Sequence, residues 1–130
     1  MRFNPDGTKV FVVGTNSDAI NEYSLSTAWD ISSASYVQKF SVSSQDGNPT
    51  GLYFNPSGTK VFVVGLSIDA VFQYSLSTAW DISSAVYDSI SFSVASQENF
   101  TAGLYFKSDG GKMYIIGSFG SELVYQYSTA

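Results

Sequence analysis

The chain contains no histidine and no cysteine, so several mechanisms drop out and the carboxylates remain as the groups to weigh. A Ser-His-Asp triad, a thiol nucleophile and the ordinary His/Cys zinc sites are excluded. Without cysteine there is also no disulfide, and the redox compartment is not readable. Eleven Asp and Glu stand against six Lys and Arg, for a net charge of −5. Five of the acids fall in polar loops: Asp18, Asp69 and Glu122 in one kind, Asp46 and Glu98 in another. Gathered on one face, they would offer the hard oxygen ligands that suit Ca²⁺ or a cationic ligand. The competing reading is that each acid caps its own loop in water, as turn acids commonly do. No pair of carboxylates has an arguable glycosidase-like spacing, and no catalytic residue is assigned. Asn4-Pro5-Asp6-Gly7 is a turn rather than a phosphate loop: Pro presets φ, Asp tolerates turn geometry and Gly supplies a positive φ.

The elements that must position these acids come from a repeat. Gly51-Leu-Tyr-Phe-Asn-Pro-Ser-Gly-Thr-Lys-Val-Phe-Val-Val-Gly65 is matched by Phe3 to Gly14 and by Gly103 to Gly117. A period of this length made of strands predicts a propeller or similar array. Each copy is expected to begin with a short strand (Met1–Phe3, Leu52–Phe54, Leu104–Phe106). A near-continuous apolar strand follows (Lys9–Val13, Lys60–Val64, Lys112–Ile116), of the kind buried on both faces. A third strand comes next (Ala19–Leu25, Ala70–Leu76, Leu123–Tyr127). The first two copies add a long connection carrying Trp29-Asp30 or Trp80-Asp81 and a fourth strand, Ser35–Val42 or Val86–Val94. In Ser35–Val42, Tyr36, Phe40 and Val42 are expected on one face and Val37, Lys39 and Ser41 on the other, the alternation of an outermost strand. Trp29 and Trp80 read as loop anchors, and Asp30 and Asp81 as acceptors for nearby backbone N–H groups. Tyr23, Tyr74 and Tyr127 recur at one strand position and read as core between blades, with a sugar-stacking platform as the alternative.

The N-P-[DS]-G-T-K-V-F-V-V-G core of this repeat resembles bacterial and phage β-propeller repeats, in the style of YVTN and lactonase-like propellers. The resemblance covers essentially the whole chain. It implies an all-β fold of four-stranded antiparallel blades, about 2.75 per chain (four, four and three strands): blade 1 at 1–50, blade 2 at 51–102 and an incomplete blade 3 at 103–130. By analogy with propellers, the loops between second and third strands share one face with the loops joining blades. Asp18, Asp69, Glu122, Asp46 and Glu98 would then ring a channel mouth. The Trp-Asp pairs lie after the third strand rather than at its end, which separates the chain from WD40 repeats.

Propellers usually close rings of four to eight blades. Fewer than three would expose apolar end faces, and such faces imply a partner. The expected partner is a second copy, closing a six-bladed ring head to tail; a trimer with nine blades and a fragment of a longer propeller are the alternatives. The sparse cations argue against nucleic acid and anionic membrane surfaces, and no apolar run approaches a membrane span. Met1 already sits in a strand pattern, so no signal peptide is expected ahead of the first repeat. The functional expectation is a non-catalytic binding or assembly scaffold without a required cofactor. A metal-dependent lactonase-like hydrolase and a structural repeat of a virion or surface protein are the alternatives. Between the two complete copies, the differences concentrate at Thr15–Ser17 and Ile20–Glu22 against Leu66–Ile68 and Val71–Gln73.

Overall fold

The computed structural model describes residues 1–118 and 123–129. The Asn-Pro-x-Gly turns open each of the first two sheets. Asn4 Oδ1 accepts the Lys9 N–H and Asn55 Oδ1 that of Lys60, both at 2.9 Å. Gly7, Gly58 and Gly110 hold φ of 74°, 72° and 76°, which a side chain rarely tolerates. Blade 1 comprises β1 (Arg2–Phe3), β2 (Lys9–Gly14), β3 (Ala19–Leu25) and β4 (Ala34–Ser41). Blade 2 comprises β5 (Pro49–Phe54), β6 (Lys60–Gly65), β7 (Ala70–Leu76) and β8 (Ala85–Ser93). Blade 3 comprises β9 (Thr101–Phe106), β10 (Lys112–Gly117) and β11 (Val124–Ser128). All are antiparallel meanders stepping from an inner to an outer strand.

The inner strands β5 and β9 begin three residues before the expected Leu52 and Leu104. Their polar starts read as loop, yet they pair across blades. Thr50 Oγ1 donates to the Thr101 carbonyl at 2.8 Å, and Thr101 Oγ1 donates to the Gly65 carbonyl at 2.8 Å. Gly51 permits this approach, since a Cβ there would lie 2.8 Å from the Gly103 Cα.

The core lies between the blades. One cluster joins Phe11, Ile20 and Val42 of blade 1 to Phe54, Val63, Tyr74 and Ile82 of blade 2. A second joins Val64, Val71 and Val94 to Leu104, Phe106, Met113 and Ile115. The β6 positions Val61, Val63 and Val64 are fully buried, as the continuous apolar run predicts. The outer strand departs from simple alternation. A bulge between Glu22 and Tyr23 shifts the register of β4. Gln38 and Phe40 are half-buried while Tyr36 is exposed. In β8 the bulge includes Ser89 at φ 59°, so Ile90 pairs with Gln73 where Gln38 pairs with Glu22.

Candidate functional site

The carboxylates divide into two structural kinds. Asp46, in the connection from β4 to β5, is almost fully buried. Its Oδ1 accepts the N–H of Asn48 at 2.7 Å and of Ser67 at 3.3 Å, and its Oδ2 accepts that of Ile68 at 3.1 Å. One carboxylate therefore ties the inter-blade loop to the β6–β7 loop. Gly65 makes room for it, because a Cβ there would stand 2.5 Å from the Asp46 Cγ. Glu98 occupies the matching place in the next connection. Its Oε1 accepts the Phe100 N–H at 2.9 Å, and a Cβ on Gly117 would overlap its carboxylate. A carboxylate that accepts backbone N–H groups in a buried loop stabilises that loop.

Asp18 and Asp69 close the β2–β3 and β6–β7 loops in the left-handed region, at φ 45° and 53°, which Asp tolerates better than most residues. Their carbonyls accept the N–H of Val42 and Val94, each at 2.8 Å. Each also carries a buried Oδ1 with no hydrogen-bond partner. Burial, and then the negative charges of Asp46 and Glu98, push the Asp69 carboxyl above its ordinary range. Asp18, Asp69, Asp46 and Glu98 thus belong to the loops at one end of the blades. Glu122 lies outside the described residues. Among the described residues no group of three or more acids stands close enough to hold a metal ion.

At the other end, the connections carrying Asp30 and Asp81 are short 3-10 turns, Ile31–Ser33 and Ile82–Ser84. Asp30 Oδ1 accepts from the Ser32 N–H and Asp81 Oδ1 from the Ser83 N–H, both at 3.0 Å. The Ser32 and Ser83 hydroxyls donate to the same oxygens at 2.6 Å, and these hydroxyl bonds first, with the backbone bonds beside them, hold both carboxyls below the usual range. The tyrosines separate by position. Tyr74 is fully buried and donates to Gln45 Oε1 at 3.0 Å. Tyr127 donates to Gln97 Oε1 at 3.2 Å, and Tyr23 lies edge-on to Tyr36. On the inner strands the guanidinium of Arg2 lies 4.5 Å from the Tyr53 ring and 4.6 Å from the Tyr105 ring.

Another carboxylate with three partners is Glu22, fully buried in β3 and absent from the acids singled out by loop position. It pairs with Lys9 Nζ at 2.7 Å and accepts from Gln38 Nε2 at 2.8 Å and from the Ile82 N–H at 3.1 Å. Lys9 Nζ also donates to the Trp80 carbonyl at 2.8 Å, and Gln38 Nε2 to Asp81 Oδ1 at 3.0 Å. Blade 1 thus grips the Trp80-Asp81-Ile82 connection of blade 2 through three polar side chains. The Trp80 ring stacks on Phe54 at 4.9 Å and approaches Phe11 at 6.2 Å. The signal in the sequence was the Glu22/Gln73 difference between copies, and Glu22 lies at the contact between blades 1 and 2.

The connection of blade 1 offers an internal control. Residues 24–34 and 75–85 are identical, and their backbones agree, with Trp29 at φ 65° and Trp80 at φ 60°. Yet Trp29 and Ile31 are each 59% exposed while Ile82 is fully buried. The opposite end of the chain shows the converse. Val124 of blade 3 is 65% exposed where its counterpart Ile20 is fully buried.

No protein-family model matches the chain, and no curated protein matches it in sequence. Solved structures do. A 6-phosphogluconolactonase-like protein from Bacteroides uniformis aligns over 99% of this chain and 36% of its own, with a TM-score of 0.70 at 15% identity. A protein from Lactobacillus plantarum aligns over 98% and 36%, with a TM-score of 0.69 at 11% identity. The β-propeller domain of Cps50 (Swd1) from Myceliophteria thermophila aligns over 99% and 39%, with a TM-score of 0.65 at 13% identity. The chain spans little more than a third of the length of these proteins. At such identities the likeness concerns fold, and it agrees with the strand order: the chain is a partial β-propeller of two four-stranded blades and a third blade with three described strands.

Proposed function

We propose that the chain is a non-catalytic propeller scaffold whose ring is completed by a second copy joined head to tail. The observation that carries this reading is the pair of uncovered end faces. Blade 1 presents Phe3, Trp29 and Ile31, the counterparts of Phe54, Trp80 and Ile82. Blade 3 presents Lys112, Tyr114, Val124 and Gln126, the counterparts of Lys9, Phe11, Ile20 and Glu22. The chain therefore carries near-copies of both sides of its own blade 1–blade 2 interface. Exposed apolar faces call for a cover, and a repeated contact between copies closes a ring under a rotation axis. The hydrolase reading asks for side chains in distinct roles around one centre. Among the described residues, the loops instead hold pairs of equivalent acids.

The two tryptophans give a direct test. With both replaced by 5-fluorotryptophan, ¹⁹F NMR reports each indole separately. Raising the protein concentration is expected to shift or broaden the Trp29 resonance and leave that of Trp80 in place. A Trp29 resonance that stays solvent-like at every concentration would contradict the reading.

A further inference from the structure

We propose that the β6–β7 loop of blade 2, through Leu66 and Ile68 together with Phe100 of the adjoining connection, docks a basic polypeptide segment carrying Lys or Arg beside an aliphatic or aromatic residue. The two complete repeats supply the comparison. Residues 8–14 and 59–65 are identical, and the chain then reads Thr15-Asn16-Ser17 in blade 1 and Leu66-Ser67-Ile68 in blade 2. The same loop is thus polar in one blade and largely aliphatic in the next. Leu66 is 38% exposed and Ile68 55%, so the change adds little to the core.

These side chains stand on a loop that is tied down. The Leu66 N–H donates to the Asn48 carbonyl at 3.0 Å, and the N–H groups of Ser67 and Ile68 go to the Asp46 carboxylate. Asn48 Nδ2 donates to Ser67 Oγ at 2.8 Å. A buried carboxylate, costly to desolvate, therefore fixes a loop that presents two aliphatic residues to water. A loop ordered beforehand loses little entropy on binding. Thr101 Oγ1 donates to the Gly65 carbonyl, and the chain neighbours of this bond are Leu66 and Phe100. Phe100 is 44% exposed, with its backbone held by Glu98 and Ser118. Exposed apolar side chains gathered on two tied loops mark an interaction surface.

Charge selects the occupant. The loops at this end of the blades hold Asp18, Asp46, Asp69 and Glu98, and no Lys or Arg falls among them. Lys9, Lys60 and Lys112 begin the second strands at the other end, and Lys107 stands in the third turn. Lys39 lies within β4, and Arg2 lies over Tyr53 and Tyr105. A cationic partner is drawn to such an end and an anionic one is repelled. Long basic side chains suit the patch for a second reason: their stems cover apolar surface while the charged head reaches a carboxylate.

A second copy does not meet this description. Its net charge is −5, and its other end sets Asp6, Asp30, Asp81 and Asp109 against an equal number of lysines, Lys9, Lys60, Lys107 and Lys112. The occupant is therefore a different, basic chain. The patch lies on loops at the ends of strands, whereas ring closure joins the faces of blades. Docking is thus expected from a single chain and from a closed ring alike.

The test pans a random-peptide display library on the immobilised full chain. Enriched peptides are labelled and titrated by anisotropy against the wild type and against Leu66→Thr/Ile68→Ser, which carries the residues of positions 15 and 17. Enriched peptides are expected to be basic with an apolar residue, and to bind the double variant at least about tenfold more weakly, as loss of central apolar contacts does. Exchanging their Lys and Arg for Glu is expected to abolish binding, and added salt to weaken it. Should circular dichroism show the double variant unfolded, Ile68→Ser alone decides, with a loss of about threefold or more expected. Ile31→Asp, altered on the blade 1 face, is expected to bind the same peptides equally, so this test and that of ring closure fail separately. No enrichment, enriched peptides without positive charge, or undiminished binding to the folded variant would overturn the proposal.

Discussion

Glu22 of blade 1 accepts the backbone N–H of Ile82 in blade 2 at 3.1 Å, so one buried carboxylate fixes how two blades meet. It also holds the Lys9 ammonium. Removing it leaves a partly buried cation and a buried N–H without an acceptor. Because Lys9 keeps about a third of its side chain in water, the cost of Glu22→Ala is placed near the lower end for buried pairs, about 2–3 kcal/mol. Glu22→Gln, which copies the residue at position 73, keeps an acceptor and is expected to lose about 1 kcal/mol. Urea unfolding of the three proteins checks both values, and equal stability of Glu22→Ala and wild type would contradict the assignment.

The two tryptophans separate packing from sequence. Trp80 stacks between rings of both blades, whereas Trp29, among the described residues, meets the Phe3 ring alone and is mostly exposed. Trp80→Ala is expected to cost about 3 kcal/mol or more, as large buried aromatics do, and Trp29→Ala less than half of that when measured at dilutions that keep the chain monomeric. Chemical denaturation at low protein concentration distinguishes them.

Much of this was legible beforehand. The spacing of Phe3, Phe54 and Phe106 located the repeat, and the apolar runs beginning at Lys9, Lys60 and Lys112 located the buried second strands. The inner strands at Pro49 and Thr101 were hidden, because Thr and Gly there read as loop and earn their place by bonding a neighbouring blade. Alternation grouped Tyr36 with Phe40 and Val42, whereas the bulge at Glu22/Tyr23 sets it on the opposite face beside Tyr23; its counterpart Tyr87, after the same bulge, packs against the core between blades 1 and 2. Among the acids, loop position identified Asp46 and Glu98 but not their work, since the N–H groups Asp46 accepts at Ser67 and Ile68 belong to the next blade. Glu22 was passed over because a strand position between polar residues gives no hint of a partner 60 residues away.

Asp46 and Gly65 form one device. Asp46→Ala removes the acceptor for three backbone N–H groups and is expected to cost about 2–3 kcal/mol. Gly65→Ala drives a methyl into that carboxylate and is expected to destabilise by about 1–3 kcal/mol, the range of overpacked sites. Since both changes break the same contact, the double variant is expected to lose less than the sum. Thermal or urea unfolding of the four-protein cycle measures this, and strict additivity would contradict it.

Asp69 links the loops to pH. Its carboxyl is raised by burial and by Asp46 and Glu98. A raised carboxyl binds its proton more tightly in the folded than in the unfolded chain, so stability falls as pH climbs from the unfolded value toward the folded one. Above that window the charge is a fixed liability; below it the liability is gone. Asp69→Asn keeps a residue suited to the left-handed backbone. It is therefore expected to raise the melting temperature at pH 7, with the gain shrinking toward pH 3.5. A gain independent of pH, or a loss at pH 7, would contradict this account.

The central claim is that the end faces of blade 1 and blade 3 cover each other between copies. Light scattering coupled to size exclusion tests it most directly, with Ile31→Asp as the companion variant. The account predicts a particle of twice the 14.1 kDa chain mass for the wild type, and a folded particle of one chain mass for the variant, whose new charge sits on the covered face. A wild-type chain that stays folded and monomeric at every concentration would contradict it.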